Sequence, residues 1–219
     1  MYQSRQLAQF VDSKTKNMGP DDIIIVCGDF NISSRKFGPV HMKKLKDLSV
    51  RDPGFEVFLD PEFDTLKEYK SMMKLLSLEN TFKITDCKQH IADDKGNPTT
   101  FGGVDVDEDG TIFPIETVLI NKHDLMLEQS IDYIFHFERN SDVLLKTEES
   151  KNPFNSKDDD LSKQGVTHSA LNGSQDLMNG SKKLSVIRDS IKVEKFQVSG
   201  QKFSTLSDHF GVSVEIKIS

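Results

Sequence analysis

The strongest constraint on the fold is an uninterrupted apolar run, Ile23-Ile24-Ile25-Val26-Cys27. Successive β-branched residues favour a strand, and a strand without polar alternation is expected to be covered on both faces. The run ends at Gly28, so the polar residues that follow are predicted to emerge at the edge of a sheet. Cys27 is predicted to be a small buried side chain within this strand.

Three segments carry helical signals. Residues 2–13 have apolar side chains at approximately helical spacing, and Pro39 suits the first position of a helix that ends near Leu48. The third signal is the strongest, with Asp60 as N-cap and Pro61 as the first helical residue. Its predicted buried stripe consists of Leu66, Tyr69, Met73 and Leu76. We therefore predict a mixed α/β (α+β) protein in which helices lie on a sheet.

Two further strands are predicted at residues 131–137 and 210–218, the second with clean apolar alternation. Between them, residues 148–185 are dominated by Asn, Ser, Lys, Asp and Gly and show no hydrophobic periodicity. Such a composition cannot bury enough apolar surface to fold, so this segment is predicted to be a disordered polar insertion. The folded domain is assigned to residues 1–147 and 186–219.

Charge and composition limit the classes of partner. The chain has 28 Lys and Arg residues against 35 Asp and Glu residues, a formal net charge of −7. Because non-specific nucleic-acid binding depends on neutralising phosphates with cationic side chains, this balance disfavours a nucleic-acid partner. Two cysteines cannot form a disulfide framework, and no apolar run approaches the length of a membrane span. As written, the chain is expected to be cytoplasmic or membrane-associated, whereas a truncated N-terminus would leave its location unknown.

Three polar strings follow or interrupt the apolar strands. They are Gly28-Asp29-Phe30-Asn31, Ile131-Asp132-Tyr133-Ile134-Phe135 and Ser207-Asp208-His209-Phe210-Gly211. Together they supply three carboxylates, one amide and one imidazole. This set of groups is typical of sites that hydrolyse phosphodiesters with a hard divalent metal.

Each string taken alone also has a purely structural interpretation. Asp29 and Asn31 are two residues apart, so in extended backbone both could face one metal or phosphate, but they could also form an Asx turn. His209 could be an ordinary loop histidine. Asp132 lies within an apolar strand and needs a partner, which could be a histidine or the backbone of a neighbouring loop.

In this order, the three strings resemble the motifs of the endonuclease/exonuclease/phosphatase superfamily. Pro98-Thr99-Thr100-Phe101-Gly102 and the last string are similar to segments of neutral sphingomyelinases. The resemblance implies the C-terminal part of a two-sheet β-sandwich flanked by helices. It also implies Mg²⁺-dependent hydrolysis of sphingomyelin or a related phospholipid, with contact to a membrane surface. A Mg²⁺-dependent nuclease or an inositol-phosphate phosphatase would share much of the pattern.

The resemblance assigns a role to each residue of the site by position. Asp29 would bind the metal or activate the attacking water, and Asn31 would hold the scissile phosphate. Asp132 would orient His209, which is the catalytic histidine of the superfamily. Asp208 would contribute to the metal centre, and no cofactor other than Mg²⁺ is implied.

Parts of the superfamily pattern have no position in this sequence, among them an early Asn, a Glu that is a principal metal ligand, and a further His. Residues 2–7 resemble the helix just before the first site strand, so the first part of the fold is expected to be missing. The missing N-terminal half or another chain is expected to cover an exposed sheet face. The chain alone is therefore expected to be a weak or inactive enzyme.

Three explanations of the missing residues stay open. The chain could be a fragment of a complete enzyme. It could instead be a catalytically inactive half-domain kept as a binding or regulatory remnant. The third explanation is a half that works only with a separately encoded partner.

Overall fold

The computed structural model describes residues 2–19, 22–122, 124–140 and 184–219. The α-helices in these ranges are α1 (Tyr2–Thr15), α2 (Pro39–Ser49) and α3 (Lys67–Leu76). Short 3₁₀ helices lie at Pro53–Leu59, Cys87–Ile91 and Arg188–Ser190. No helix in the described ranges is both long and apolar enough to cross a membrane.

The strands are short apart from three that form the central sheet. They are β1 (Ile24–Asp29), β2 (Phe82–Asp86), β3 (Phe101–Gly102), β4 (Val104–Val106), β5 (Ile112–Pro114), β6 (Glu128–Gln129), β7 (Asp132–Arg139), β8 (Leu184–Val186), β9 (Lys192–Glu194), β10 (Gly211–Ser213) and β11 (Ile216–Ile218).

A three-stranded antiparallel sheet in the order β1-β7-β2 forms the centre of the fold. Its register places Asp29 of β1 directly opposite Asp132 of β7. The other strands form the two-stranded pairs β3-β6, β4-β5, β8-β11 and β9-β10. The predicted α+β class is confirmed, while a complete two-sheet sandwich stays a prediction.

One face of the central sheet packs against α1 and α3. Alternate residues of β7, namely Tyr133, Phe135 and Phe137, point to this face and are at most 1% exposed. The partners they pack against include Val11, Tyr69, Met72, Leu76 and Phe82. Fully burying a side chain of this size contributes about 1.5–3 kcal/mol, so this cluster is the main source of stability. The predicted stripe of α3 is confirmed in part, because Tyr69 and Leu76 are buried and Met73 packs against the core, whereas Leu66 precedes the helix.

The opposite face of the sheet is open at β1, contrary to the predicted burial of this strand on both faces. Ile24 and Val26 pack on the core, whereas Ile25 is 38% exposed and Cys27 is exposed. Successive side chains of a strand alternate between faces, and α1 and α3 cover only one of them. The prediction that Cys27 is buried is therefore wrong.

The buried face of α1 agrees only in part with the apolar face predicted from Tyr2, Leu7, Phe10 and Val11, because Val11 is buried and Leu7 packs against the core. Tyr2 and Phe10 are 77% and 56% exposed, whereas Ala8 and Val11 are buried. Arg139 fixes the end of this helix, because its guanidinium donates to Asp12 Oδ1 at 2.8 Å. Small side chains on the buried face let α1 lie close to its neighbours. The size and hydrophobicity of Tyr2 and Phe10 were therefore a poor guide to which side of the helix is buried.

The predicted start of α3 at Asp60 is also wrong. Asp60 instead ends the preceding 3₁₀ helix, and its carboxylate accepts a hydrogen bond from the Glu62 amide at 2.9 Å. Asp64 accepts from the Leu66 amide at 3.1 Å just before the helix begins at Lys67. Two acidic turns therefore precede α3, and only the second leads into it.

The C-terminal residues form an antiparallel ribbon rather than one uninterrupted strand. The segment predicted as a strand at 210–218 divides into β10 and β11, which pair with β9 and β8. Val212, Val214 and Ile216 are half-buried and alternate with the exposed residues 213, 215 and 217, so the predicted alternation holds up to Ile218, which is 56% exposed. The predicted insertion lies outside the described residues as far as residue 183, while its last two residues belong to β8.

Candidate active site

Asp132 and His209 form a hydrogen-bonded pair. The His209 Nδ1–H donates to the Asp132 carboxylate, with distances of 3.1 Å to Oδ2 and 3.2 Å to Oδ1. The two side chains are 33% exposed for His209 and 20% exposed for Asp132, and the Phe101 ring lies 5.0 Å from the imidazole. A carboxylate bound at Nδ1 fixes the ring and its tautomer, which leaves Nε2 for proton exchange. Of the two predicted partners for Asp132, the structure contains the histidine.

Thr100 connects the two elements that carry this pair. Its side chain is fully buried, and Oγ1 accepts hydrogen bonds from the amides of Ile131 at 3.0 Å and Asp132 at 3.1 Å. Its carbonyl oxygen accepts from the Phe210 amide at 2.7 Å. One residue thereby joins the start of β7 to the loop that carries His209. Sequence reasoning gave Thr100 no role, although it lies in a segment that carries the resemblance.

Glu116 anchors the same loop from the other side. Its carboxylate is 3% exposed and accepts hydrogen bonds from the backbone amides of residues 117–119. It also accepts from the amides of Ser204 at 2.8 Å and Thr205 at 3.1 Å. Burial alone would raise the pKa of Glu116, but these hydrogen bonds lower it to about 2. Glu116 lies in a segment, Pro114-Ile115-Glu116-Thr117, that also resembles neutral sphingomyelinases, but sequence reasoning gave it no role.

Asp29 and Asn31 lie at the exposed end of β1, beside this pair. The Asn31 amide donates to Asp29 Oδ1 at 2.7 Å, and Asn31 has a φ of 52°. This is the Asx turn that the sequence left open as an alternative. The extended backbone that would align both side chains is therefore absent. Asp29 nevertheless lies opposite Asp132 in the register, so the first two strings are adjacent.

Asp208 lies next to His209 and is half-buried, with its carbonyl oxygen accepting from the Gly102 amide at 3.2 Å. Carboxylates such as Asp29 and Asp208 are the donor type that Mg²⁺ prefers. However, among the described residues no three His, Cys, Asp or Glu side chains converge as a metal site requires. The donor type thus fits Mg²⁺, but these residues do not complete a site for it.

A buried charged group behind the pair escaped the sequence analysis. Lys88 is fully buried, and its ammonium donates to Ser130 Oγ at 2.5 Å. Burial lowers the pKa of Lys88 to about 8, against the opposing effect of Asp86 and Asp132. Burial likewise raises the pKa of Asp86, which accepts a hydrogen bond from Asn97 Nδ2 at 2.6 Å. This network lies directly beneath the start of β7.

Comparison with known proteins gives one limited relationship. The chain is 26% identical over 225 residues to a sphingomyelinase from Dictyostelium discoideum. The alignment covers all of this chain and 41% of that protein, so the chain spans about two-fifths of the length of this curated relative. No family model and no solved structure matches the chain. The chain is thus similar to a sphingomyelinase, and membership of the superfamily stays a prediction.

Proposed function

We propose that this chain carries part of a phosphodiester-hydrolysing site that acts on sphingomyelin or a related choline phospholipid. The observation that carries the proposal is the hydrogen bond of 3.1 Å between His209 Nδ1 and Asp132. The similarity to a sphingomyelinase supports the choice of substrate. Because the substrate is a lipid, the proposal includes contact with a membrane surface.

In the proposed reaction, water attacks the phosphorus and the bond to the leaving alkoxide breaks. Asp29 would accept the proton of the water, since its carboxylate is exposed and opposite Asp132. His209, protonated and held by Asp132, would give its Nε2 proton to the leaving oxygen. Asn31 would contact a phosphate oxygen. The products are phosphocholine and ceramide.

Hydrolysis is tested by release of phosphocholine from sphingomyelin in detergent micelles with Mg²⁺. We expect slow turnover that is about 100- to 10,000-fold lower in His209→Ala and reduced to a smaller extent in Asp132→Asn. His90→Ala is the matched control, because His90 is exposed on a 3₁₀ helix. Unchanged turnover in His209→Ala would refute the assignment. Faster cleavage of abasic-site DNA or an inositol phosphate would instead favour the nuclease or phosphatase alternative.

Mg²⁺ dependence is a separate part of the proposal, with Asp29 and Asp208 as ligands. Mg²⁺ held by one or two carboxylates keeps most of its water, so we expect weak binding by calorimetry and none in Asp29→Asn. Tight binding would contradict a site of two carboxylates.

Among the described residues, no three metal-ligating side chains lie together. This favours a second function, in which the chain binds a lipid headgroup without hydrolysing it. This function corresponds to the inactive half-domain that the sequence left open. Headgroup binding by a chain that releases no phosphocholine, even with Mg²⁺, would support it over hydrolysis.

A further inference from the structure

A cavity of about 530 Å³ opens beside Asn31. It lies among residues of the Asn31 turn, the start of α2, the segment before α3, and β6. Its size falls within the range of about 300–1,000 Å³ that small-molecule sites occupy. The proposed reaction uses only Asn31 from this cavity, so the rest of its lining has no assigned role.

Three aromatic rings form one wall of the cavity: Phe37, Phe58 and Phe63. The rings of Phe58 and Phe63 meet edge to face with centroids 5.0 Å apart, and Phe37 and Phe63 are stacked at 6.5 Å. All three side chains are half-buried, so each keeps surface that a ligand can contact. Clustered aromatic faces attract cations through the negative charge density of the rings.

The charged groups of the lining also favour a cation. The lining contains three carboxylates and two cationic side chains; these residues are Asp64, Glu68, Glu128, Arg35 and Lys67. Asp64 is paired with Lys70 at 2.6 Å and Glu128 lies 3.9 Å from Arg35, so Glu68 is the carboxylate whose charge is most available to a ligand. A pocket built to bind an anion at this position would show the opposite balance.

One of the two cationic groups already has its own partners. The side chain of Arg35 is 8% exposed, and its Nη1 donates to Asp93 at 3.2 Å and to the Asn97 carbonyl at 3.0 Å. His41 also lines the cavity, and burial followed by the charge of Lys44 lowers its pKa, so its imidazole is neutral at pH 7. Repulsion of a bound cation is therefore small.

The cavity is connected to the proposed active site at two points. Asn31, the proposed phosphate contact, lines it. Gln129 of β6 also lines it and pairs with Phe101, which in turn forms a β-bridge with His209. A ligand whose phosphate lies at Asn31 can therefore extend a cationic group toward the aromatic wall.

We propose that this cavity binds the quaternary ammonium group of a choline phosphoester, with Phe37, Phe58 and Phe63 contacting the cation and Asn31 next to the phosphate. This inference rests on the proposed function for its choice of substrate. A quaternary ammonium has no N–H group to satisfy, so an aromatic wall suits it better than it suits a primary ammonium. The site therefore selects choline over ethanolamine esters.

Calorimetry with phosphocholine and phosphoethanolamine tests the selection on the wild-type chain. We expect phosphocholine to bind more tightly, and equal affinities would overturn the proposal. Sedimentation with sphingomyelin vesicles, compared with vesicles of phosphatidylethanolamine, extends the same comparison to the lipid headgroup. Preference for the choline form in both assays supports the cavity assignment.

Substitutions of the wall test its location. Phe63→Leu and Phe58→Leu keep apolar bulk but remove the ring, and each should weaken phosphocholine binding by about 2- to 30-fold. Binding of phosphoethanolamine should change less. Phe10→Leu is the matched control, because Phe10 is exposed on α1 and does not line the cavity. Wild-type affinity in both wall variants, with the fold verified by circular dichroism, would refute the assignment.

Charge reversal gives an independent test that leaves the aromatic wall unchanged. Glu68→Lys places a cation in the lining and should weaken phosphocholine binding, while Glu62→Lys should not, since Glu62 is exposed and outside the lining. Equal effects of the two changes would contradict a cation site.

Binding and hydrolysis can fail separately. If phosphocholine binds through Phe63 but no sphingomyelin is hydrolysed, the cavity assignment stands and the proposed reaction is wrong. If sphingomyelin is hydrolysed in a reaction that needs His209, yet Phe63→Leu leaves KM unchanged, the reaction stands and the cavity assignment is wrong.

Discussion

The Glu116 carboxylate provides the sharpest test of how the fold holds His209. Glu116→Gln keeps the size of the side chain but removes its charge and replaces one oxygen with an amide donor. The wild-type oxygens accept from the amides of residues 117–119 on one side and of Ser204 and Thr205 on the other. The glutamine NH₂ is a hydrogen-bond donor and would face backbone N–H groups that need an acceptor. We therefore expect loss of stability and displacement of the loop.

The magnitude follows from the pKa of Glu116, which falls from 4.5 to about 2 on folding. One pKa unit corresponds to about 1.4 kcal/mol, so a decrease of this size stabilises the fold by about 3 kcal/mol at pH 7. This contribution is complete above the unfolded pKa and is lost as the pH falls through the folded pKa. At pH 3 about 2 of the 3 kcal/mol should already be lost.

Urea unfolding of the wild type and Glu116→Gln at pH 7 and pH 3 measures this contribution. We expect a difference of about 3 kcal/mol at pH 7 that shrinks by more than half at pH 3. Glu108→Gln, in an exposed hairpin turn, should be neutral at both. A difference that does not depend on pH would show that the hydrogen bonds to the carboxylate do not supply the stability.

Three other substitutions test the core and the backbone. Because burial lowers the pKa of Lys88 from 10.5 to about 8, urea unfolding should show the free energy of unfolding of the wild type rising by up to about 3 kcal/mol relative to that of Lys88→Met between pH 8 and 10.5. The two proteins are compared because burial also raises the pKa values of Cys87, Tyr69 and Tyr133, which lowers the stability of both as the pH rises. Phe135→Ala empties a fully buried position and should cost about 3–5 kcal/mol in the same assay. Gly102→Ala would press its Cβ onto the Leu127 carbonyl at positive φ and should lower Tm far more than Gly110→Ala, which has open space.

The sequence predicts best where the signal is local. Strand and helix periods act over a few residues, so they can be recognised in a short stretch of sequence. They predict the strand at residues 131–137, the helix from Pro39 and the alternation around Val212. The exposure of Cys27 could not be predicted from the sequence of its own strand, since it depends on which elements cover each face of the sheet. The start of α3 was ambiguous for a related reason, because Asp60 and Asp64 both form turns that resemble N-caps.

The site shows the same division. The motifs placed Asp132 and His209 together although they are 77 residues apart, because each string carries a recognisable pattern. Thr100 and Glu116, which fix their positions, also lie in segments that carry the resemblance, but those segments do not reveal the contacts that the two residues make. Thr100 bonds across 31 residues, Lys88 across 42 and Glu116 across 88, and these contacts exist only in the folded chain. Buried polar residues of this kind are identified by their partners and not by their neighbours in sequence.

The two halves of the proposed site differ in how firmly the fold holds them. His209 is fixed through Asp132, Thr100 and Glu116, whose hydrogen bonds are at least partly buried. The side chains of Asp29 and Asn31 are exposed, although the Phe30 amide between them donates to the Ile131 carbonyl at 2.9 Å. Since buried hydrogen bonds are costly to break and exposed ones exchange readily with water, ligand binding should rearrange the side chains of Asp29 and Asn31 before it moves the histidine. The proposed headgroup cavity adjoins the Asn31 turn, so a phosphocholine ester would meet the adaptable half of the site at Asn31 and the fixed half at His209.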